Sequence, residues 1–230
     1  DNGKPYGGFY TQDEVKEIVE YASVRNIVVV PEIEIPGHSK AALVSYPEFY
    51  CFPDQKLEVR TTSGISDGVY CAGNDGTFDF LENILDEIIK LFPSKLIHIG
   101  GDEAPKRNWA KCSKCQSRIK NEGLNNEDEL QSYFIKRIEK YLNYNKRQLV
   151  GWDEILEGGL APNATVMAWR GLYPGIEAAE SGHDVVMNPR IPTYLNQAQS
   201  INPVTKHDGR VTTMKDLYEF NPVPDELKKD

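Results

Sequence analysis

Two adjacent acidic residues, Asp102 and Glu103, lie near the end of the segment 95–105, whose sequence is KLIHIGGDEAP. A short apolar run leads into Gly100 and Gly101, and both acids follow at once. Adjacent residues of a continuing strand point to opposite faces of a sheet, so both acids reach one ligand only if the chain turns there. The two glycines supply that turn. Because neighbouring carboxylates repel each other, we expect a site that uses both, and acid/base chemistry is such a use.

Polar or aromatic side chains also follow the other predicted strands. These residues are Glu34 and His38, Trp152 and Asp153, Trp169 and Arg170, and Tyr194 and Asn196. Several candidate residues also have a purely structural alternative. Asp102 could be a helix N-cap and Glu103 a solvated acid. The two tryptophans could belong to the core, and His98 could be a hydrogen-bonded strand residue. Taken together, acids beside tryptophans favour a carbohydrate ligand, because aromatic rings pack on the apolar face of a sugar while acids handle its hydroxyls and glycosidic bond.

The sequence predicts no metal and no cofactor at these acids. His98, Asp102 and Glu103 lack a second well-placed histidine. No GK[ST] or GxGxxG follows the glycine pair, so it is not a phosphate loop.

The four cysteines fall into two sets in the sequence. Cys51 and Cys71 flank the polar segment 52–70, which either a disulfide closes or two free thiols border. Cys112 and Cys115 form a lone CxxC, for which a local disulfide or a reduced pair on a helix is preferred. No second CxxC completes four zinc ligands, so no metal is expected here either.

Apolar periodicity predicts alternating helices and strands. The predicted helices are 11–25, 77–92, 108–121, 126–145, 174–182 and a short one within 212–220, and the predicted strands are 27–33, 95–99, 148–152, 165–169 and 184–188. This alternation is typical of an α/β fold with a parallel sheet.

The polar chemistry at five consecutive strand ends selects a (β/α)8 barrel over an open sheet, because the carboxyl ends of all barrel strands meet on one face. Five strands are fewer than the eight of a closed barrel. We therefore predict one domain over 1–230, an incomplete barrel without its first and last strands. Its open edges would be covered by missing barrel segments or by self-association.

Composition excludes several classes of partner. The chain carries 35 acidic and 26 basic residues, a net charge of -9, which repels nucleic acid and anionic membranes. No run of about 18 apolar residues predicts a membrane span, and the first residues do not form a signal peptide. A small neutral carbohydrate is the expected partner.

The segment 98–103, HIGGDE, resembles the HxGGDE signature of the family 20 glycoside hydrolases, the β-N-acetylhexosaminidases. Further motifs match the family in order and spacing: VVPEIEIPGHSKAAL at 29–43, WxxCxxCQ at 109–116, LVGWDEILEGG at 149–159, VMAWRG at 166–171 and TTMKDLYEFNPVP at 212–224. The resemblance covers nearly the whole chain. It implies a (β/α)8 barrel that acts on terminal β-linked N-acetylglucosamine or N-acetylgalactosamine, and a secreted, periplasmic or cell-surface location.

The resemblance also implies a role for each acid. Asp102 would orient the substrate's own 2-acetamido group, whose oxygen is the nucleophile, and Glu103 would be the acid/base. The charge of Asp102 and partial burial are expected to raise the pKa of Glu103. Tyr194 would bind the acetamido oxygen. The remaining predicted residues are Trp152, Trp169, Asp153 and Asn196 as substrate-binding groups, and His38 and His98 as supports of the acids.

The chain departs from the family pattern in two respects. Asn196 stands where the family usually has an aspartate that contacts sugar hydroxyls, and early and late strands that help to form the pocket have no counterpart. The resemblance therefore implies that the isolated chain binds sugar weakly. A non-catalytic sugar-binding or scaffold protein on the same fold is the alternative, and a metal-dependent hydrolase is a third.

Overall fold

The computed structural model describes residues 3–5, 7–196, 198 and 211–228. Its five strands are β1 Glu32–Ile35, β2 Leu96–Gly100, β3 Gln148–Trp152, β4 Thr165–Ala168 and β5 Val185–Met187. Its α-helices are α1 Gln12–Ser23, α2 Lys40–Ser45, α3 Asp75–Leu91, α4 Arg107–Lys111, α5 Ser113–Asn121, α6 Glu127–Tyr144, α7 Tyr173–Glu180, α8 Arg190–Thr193 and α9 Met214–Glu219.

All five strands are parallel, and each pairs with the next one along the chain in the order β1-β2-β3-β4-β5. Sequential parallel pairing with intervening helices is the arrangement of a β/α barrel. It brings the carboxyl ends of the strands to one edge, as the sequence predicts.

The long helices cover the sheet with apolar stripes that the sequence predicts. Phe78, Leu81 and Leu85 of α3 are fully buried, and Phe78 packs on Phe134 of α6 with ring centroids 4.6 Å apart. Burying such a side chain stabilises the fold by roughly 1.5–3 kcal/mol. α3 starts after an N-cap at Asn74, slightly earlier than the predicted start at Thr77, because the Asn74 side chain accepts the Gly76 N–H.

The predicted strand at 27–33 is wrong in position. The strand is Glu32–Ile35, and the preceding Ile27 and Val28 are 57% and 68% exposed. No described strand pairs with 27–30, and that apolar run has no regular secondary structure. A run of apolar residues cannot by itself distinguish these two states.

The predicted helix 108–121 is two helices. Cys112 adopts an extended backbone, with φ −86° and ψ 118°, between α4 and α5. This break turns the Cys112 side chain inward, where it is buried.

The division of the cysteines into two separate sets is also wrong. Cys51, Cys71, Cys112 and Cys115 are all buried, and each sulfur lies within 4.8 Å of the other three. None forms a disulfide, so the free-thiol alternative is the one observed. Sequence separation concealed this convergence, because Cys51 and Cys71 lie in the segment after β1, whereas Cys112 and Cys115 lie at the start of α5, after β2.

No helix in the described ranges has the length and apolar character to cross a membrane.

Candidate active site

The turn after β2 presents Asp102 and Glu103 on the same side of the sheet edge. Gly100 and Gly101 have φ of 69° and 95°, and Glu103 itself has φ of 45°. A Cβ on Gly100 would lie 2.4 Å from Glu34 Oε2, so the backbone comes close to a second carboxylate. The predicted turn is therefore present, and glycine is needed for both its conformation and its close contacts.

His38 contacts both acids, as predicted. Its Nε2 lies 3.3 Å from Asp102 Oδ2 and 3.4 Å from Glu103 Oε2. The loop that carries it follows β1 and approaches closely, since a Cβ on Gly37 would lie 2.8 Å from the Asp102 carbonyl oxygen. One ring nitrogen carries one proton, so it donates to one carboxylate at a time.

These acids line an open cleft of about 450 Å³ at the carboxyl ends of the strands. The lining residues come from the ends of β1 to β4 and from the segment after β5: Glu32, Glu34, His38, Asp102, Glu103, Trp152, Trp169 and Tyr194. Six of these eight residues are strand-end groups that the sequence predicts for the site. Glu34 is noted only as a strand-end residue, and Glu32 is not predicted at all.

Glu32 links β1 to β3. Its Oε1 accepts a 2.9 Å hydrogen bond from Trp152 Nε1 and lies 3.2 Å from His98 Nδ1. Glu32 shares a strand face with Glu34, two residues later, and this period of two is the signal that could have found it. The His98 hydrogen bond lowers the pKa of Glu32, and burial opposes this effect.

His98 supports the site through Trp152 and the glycine turn, and does not touch the two acids in the manner predicted. Its ring packs edge-on against Trp152 with centroids 4.8 Å apart, and Nδ1 is 3.0 Å from Gly100 N. Protonated Nδ1 donates to Glu32, whereas unprotonated Nδ1 accepts from Gly100, so the tautomer decides which partner it holds.

Two further carboxylates are held in surroundings that disfavour their charge. Burial is the main cause that raises the pKa of both Glu34 and Asp102. The charge of Asp102 raises the pKa of Glu34 further, and the charge of Glu103 raises that of Asp102. The His38 charge opposes both shifts. Asp102 Oδ1 and Glu34 Oε2 are buried without a hydrogen-bond donor among the described residues. The resemblance implies that Asp102 acts as an anion, and the structure raises its pKa.

Asp153 does not line the cleft, which corrects its prediction as a substrate-binding group. It is fully buried, and Arg170 satisfies both of its oxygens, with Nε 2.6 Å from Oδ1 and the backbone N 3.1 Å from Oδ2. The next residue, Glu154, accepts a 2.9 Å hydrogen bond from Trp169 Nε1. Burial raises the pKa of Glu154 to about 7. Asp153 therefore positions Arg170, and Glu154 positions Trp169, from the interior side of the cleft wall.

Tyr194 and Asn196 differ in placement. Tyr194 lines the cleft, and burial, then the charge of Asp102, raises the pKa of its phenol. Asn196 is exposed in a turn and is not one of the cleft-lining residues. Two residues of chain past Tyr194 therefore lead away from the cleft wall, which spacing alone did not reveal.

The site also contains three groups of the types that bind cations. His38, Asp102 and Glu103 each offer an atom within 4.8 Å of the others. Three such donors near solvent are common without an ion, and His38 already has a partner role between the acids.

The model of the glycosyl hydrolase family 20 catalytic domain matches residues 1–230, which is the whole chain. The chain belongs to glycosyl hydrolase family 20. Among its relatives is a β-hexosaminidase from Porphyromonas gingivalis, which is 50% identical over 233 residues, covering 100% of this chain and 30% of the relative. A Vibrio furnissii β-hexosaminidase is 37% identical, covering 95% of this chain and 36% of the relative.

Solved family 20 structures confirm the predicted (β/α)8 fold. The β-N-acetylhexosaminidase from Bacteroides fragilis superposes with a TM-score of 0.82 at 36% identity, covering 94% of this chain and 43% of that one. The Vibrio harveyi exo-β-N-acetylglucosaminidase in complex with N-acetylglucosamine gives a TM-score of 0.83 at 30% identity, covering 95% and 35%. The chain thus spans less than half the length of these family 20 proteins, and its five described strands form an incomplete barrel.

Proposed function

We propose that this protein hydrolyses terminal, non-reducing β-linked N-acetylhexosamine residues with retention of configuration. One observation carries the proposal: Asp102 and Glu103 both contact the same nitrogen of His38. Their oxygens lie within 4.8 Å of each other. Family membership and the names of the relatives support the same reaction class.

In most retaining glycosidases a second carboxylate is the nucleophile and lies across the scissile bond from the acid/base. The family resemblance implies a different nucleophile, the oxygen of the substrate's own 2-acetamido group. With that nucleophile no carboxylate has to lie beneath C1, and Asp102 can instead orient the acetamido group.

In the first step, protonated Glu103 gives its proton to the glycosidic oxygen while the bond from that oxygen to C1 breaks. The acetamido oxygen forms a bond to C1 from the other face, and the substrate becomes an oxazolinium ion. Asp102 accepts the acetamido N–H, and its buried Oδ1 is an acceptor without a protein donor among the described residues. The negative charge of Asp102 stabilises the positive charge that develops on the ring.

In the second step, the Glu103 carboxylate takes a proton from water, and the water oxygen bonds to C1 as the acetamido oxygen leaves. Two inversions at C1 give net retention. Glu103 ends the cycle protonated, ready for the next substrate.

Tyr194, Trp152 and Trp169 line the cleft. We infer that the Tyr194 phenol donates to the acetamido oxygen and that the two tryptophans pack on the acetamido methyl and the ring. The Vibrio harveyi relative, solved with N-acetylglucosamine, supports an aminosugar as the ligand. We further propose that the protein acts outside the cytoplasm and that residues 1–230 alone bind the sugar weakly.

A non-catalytic sugar-binding protein is the second candidate, favoured by the position of Asn196 away from the cleft. An enzyme's site prefers a mimic of the transition state over the product, whereas a lectin's does not. We expect titration calorimetry of the full-length protein to show a thiazoline mimic binding at least about 100-fold tighter than N-acetylglucosamine. Equal affinities would favour the lectin.

The decisive variant is Glu103→Gln. We expect kcat/KM for an alkyl N-acetylglucosaminide to fall by about 10²–10⁴-fold, and by less for a nitrophenyl glycoside, whose leaving group needs little protonation. Glu177→Gln, an exposed acid on α7, is the matched control and should retain activity. Unchanged turnover in Glu103→Gln, or efficient hydrolysis of a glucoside that lacks the acetamido group, would refute the mechanism.

A further inference from the structure

The four cysteines form a compact, buried group remote in sequence from one another. Cys51 Sγ lies 3.8 Å from Cys115 Sγ, and Cys71 Sγ lies 3.8 Å from Cys112 Sγ and 3.7 Å from Cys115 Sγ. A disulfide requires about 2.05 Å between sulfurs, so these contacts are not those of cystines. Four thiols in van der Waals contact need a reason to converge.

The spacing matches a tetrahedral metal site. Four sulfurs around one Zn²⁺, each at about 2.3 Å, have edges of about 3.8 Å. We propose that Cys51, Cys71, Cys112 and Cys115 bind one structural Zn²⁺ as thiolates. The set is complete with four ligands and closed to solvent, so it offers no open position for catalysis.

The surrounding backbone is arranged for such a site. A Cβ on Gly73 would lie 2.2 Å from the Lys114 carbonyl carbon and 2.4 Å from the Cys115 amide nitrogen. The segment after β1 therefore contacts the start of α5 at Gly73.

Contacts that do not involve sulfur also join the segment after β1 to α4. Trp109 is fully buried and donates a 2.9 Å hydrogen bond from Nε1 to the Tyr70 carbonyl. Asn108 Nδ2 donates to Tyr50 Oη at 3.0 Å. Residues around the cysteines thus help to fix the positions of the four sulfurs. Metal sites require such surrounding contacts to orient their ligands.

Zinc here would join the loop 36–74, which follows β1, to helices α4 and α5, which follow β2. The first loop begins beside His38, and the second segment begins just after Asp102 and Glu103. The metal would act on the stability of these loops and not on the reacting atoms. The proposal is independent of the hydrolytic function.

The test is metal analysis of the full-length protein purified without added chelator. We expect about one equivalent of zinc more in the unaltered protein than in the double variant Cys71→Ser/Cys115→Ser. Replacement of zinc by cobalt should produce the visible absorption of tetrahedral cobalt thiolate, which the variant should lack. His38→Ala removes a ligand from the other candidate cation group and should keep the zinc, so it separates the two sites.

Because serine variants can fail to fold, the unaltered protein supplies a second measurement. Titration with a mercurial should release zinc in proportion to the thiols that it consumes. Any of four results would overturn the proposal. These are zinc-free protein with four reactive thiols, two disulfides in the native protein, an equivalent of iron in place of zinc, and equal zinc in the cysteine variant.

Discussion

The indole N–H of Trp152 donates a 2.9 Å hydrogen bond to Glu32 Oε1, joining the end of β3 to β1 across the intervening β2. The side chain of Glu32 is 38% exposed. The comparable bond from Trp169 Nε1 to Glu154 is also 2.9 Å long, but the Glu154 side chain is only 9% exposed. The two pairs therefore differ in burial and not in length.

We expect a double-mutant cycle of Trp152→Phe and Glu32→Gln to give a coupling energy of about 1 kcal/mol in the free energy of unfolding, since solvent screens the exposed partner. The cycle of Trp169→Phe and Glu154→Gln, measured at about pH 8.5 where Glu154 is ionised, should give about 1.5–3 kcal/mol. An equal or smaller coupling in the buried pair would show that burial does not control these bonds.

Glu34→Gln should stabilise the protein at neutral pH. In the folded state, burial raises the pKa of Glu34 above its usual 4.5. Between the pKa of the unfolded state and that of the folded state, the folded protein holds more protons than the unfolded chain, so stability falls as pH rises. The glutamine variant removes this cost, and we expect its Tm to exceed that of the unaltered protein by a few degrees at pH 7. The difference should vanish below about pH 4.5; a gain that persists there would have another cause.

Arg170→Ala should be strongly destabilising, by about 3–5 kcal/mol, because it leaves the fully buried Asp153 without its counter-charge. Arg107→Ala is the matched control, since Arg107 also bonds an aspartate, Asp67, at 2.7 Å but is 68% exposed. The control should change stability by less than about 1 kcal/mol. Urea unfolding of both variants measures the contrast, and similar losses would contradict it.

Gly100→Ala should reduce both stability and activity. Its φ of 69° strains any side chain, and the new Cβ would lie 2.4 Å from Glu34 Oε2. Gly182→Ala shares the positive φ, at 83°, but its Cβ would meet nothing within 4 Å. Gly182→Ala therefore measures backbone strain alone, about 1–2 kcal/mol, and should keep its kcat/KM. Gly100→Ala should lose more stability than this control and should also misplace Asp102. Equal stability losses would mean that the close contact relaxes freely.

Much of the site could be predicted because its residues follow strands whose apolar patterns are clear. Strand β3 ends at Trp152 as predicted, and the turn after β2 delivers Asp102 and Glu103 together. Glu32 was missed because it lies inside the segment taken as an apolar strand, where a carboxylate has no evident partner until β3 brings Trp152 to it.

Other errors have the same physical origin, which is dependence on contacts distant in sequence. Asp153 follows a strand, as the binding residues do, but Arg170 draws it into the interior. The two sets of cysteines have ordinary spacings in the sequence, and contacts between distant residues bring them together, such as the hydrogen bond from Trp109 to the Tyr70 carbonyl.

The strictly consecutive order of the five strands has a consequence for synthesis of the protein. Each strand finds its neighbour in the strand that the ribosome has just released, so no segment from β1 to β5 must wait for a later strand before it can pair. This part of the sheet can therefore grow from β1 towards β5 as the polypeptide emerges. His38 follows β1 and the acids that it contacts follow β2, so this part of the candidate site can begin to assemble while β3 is still being translated.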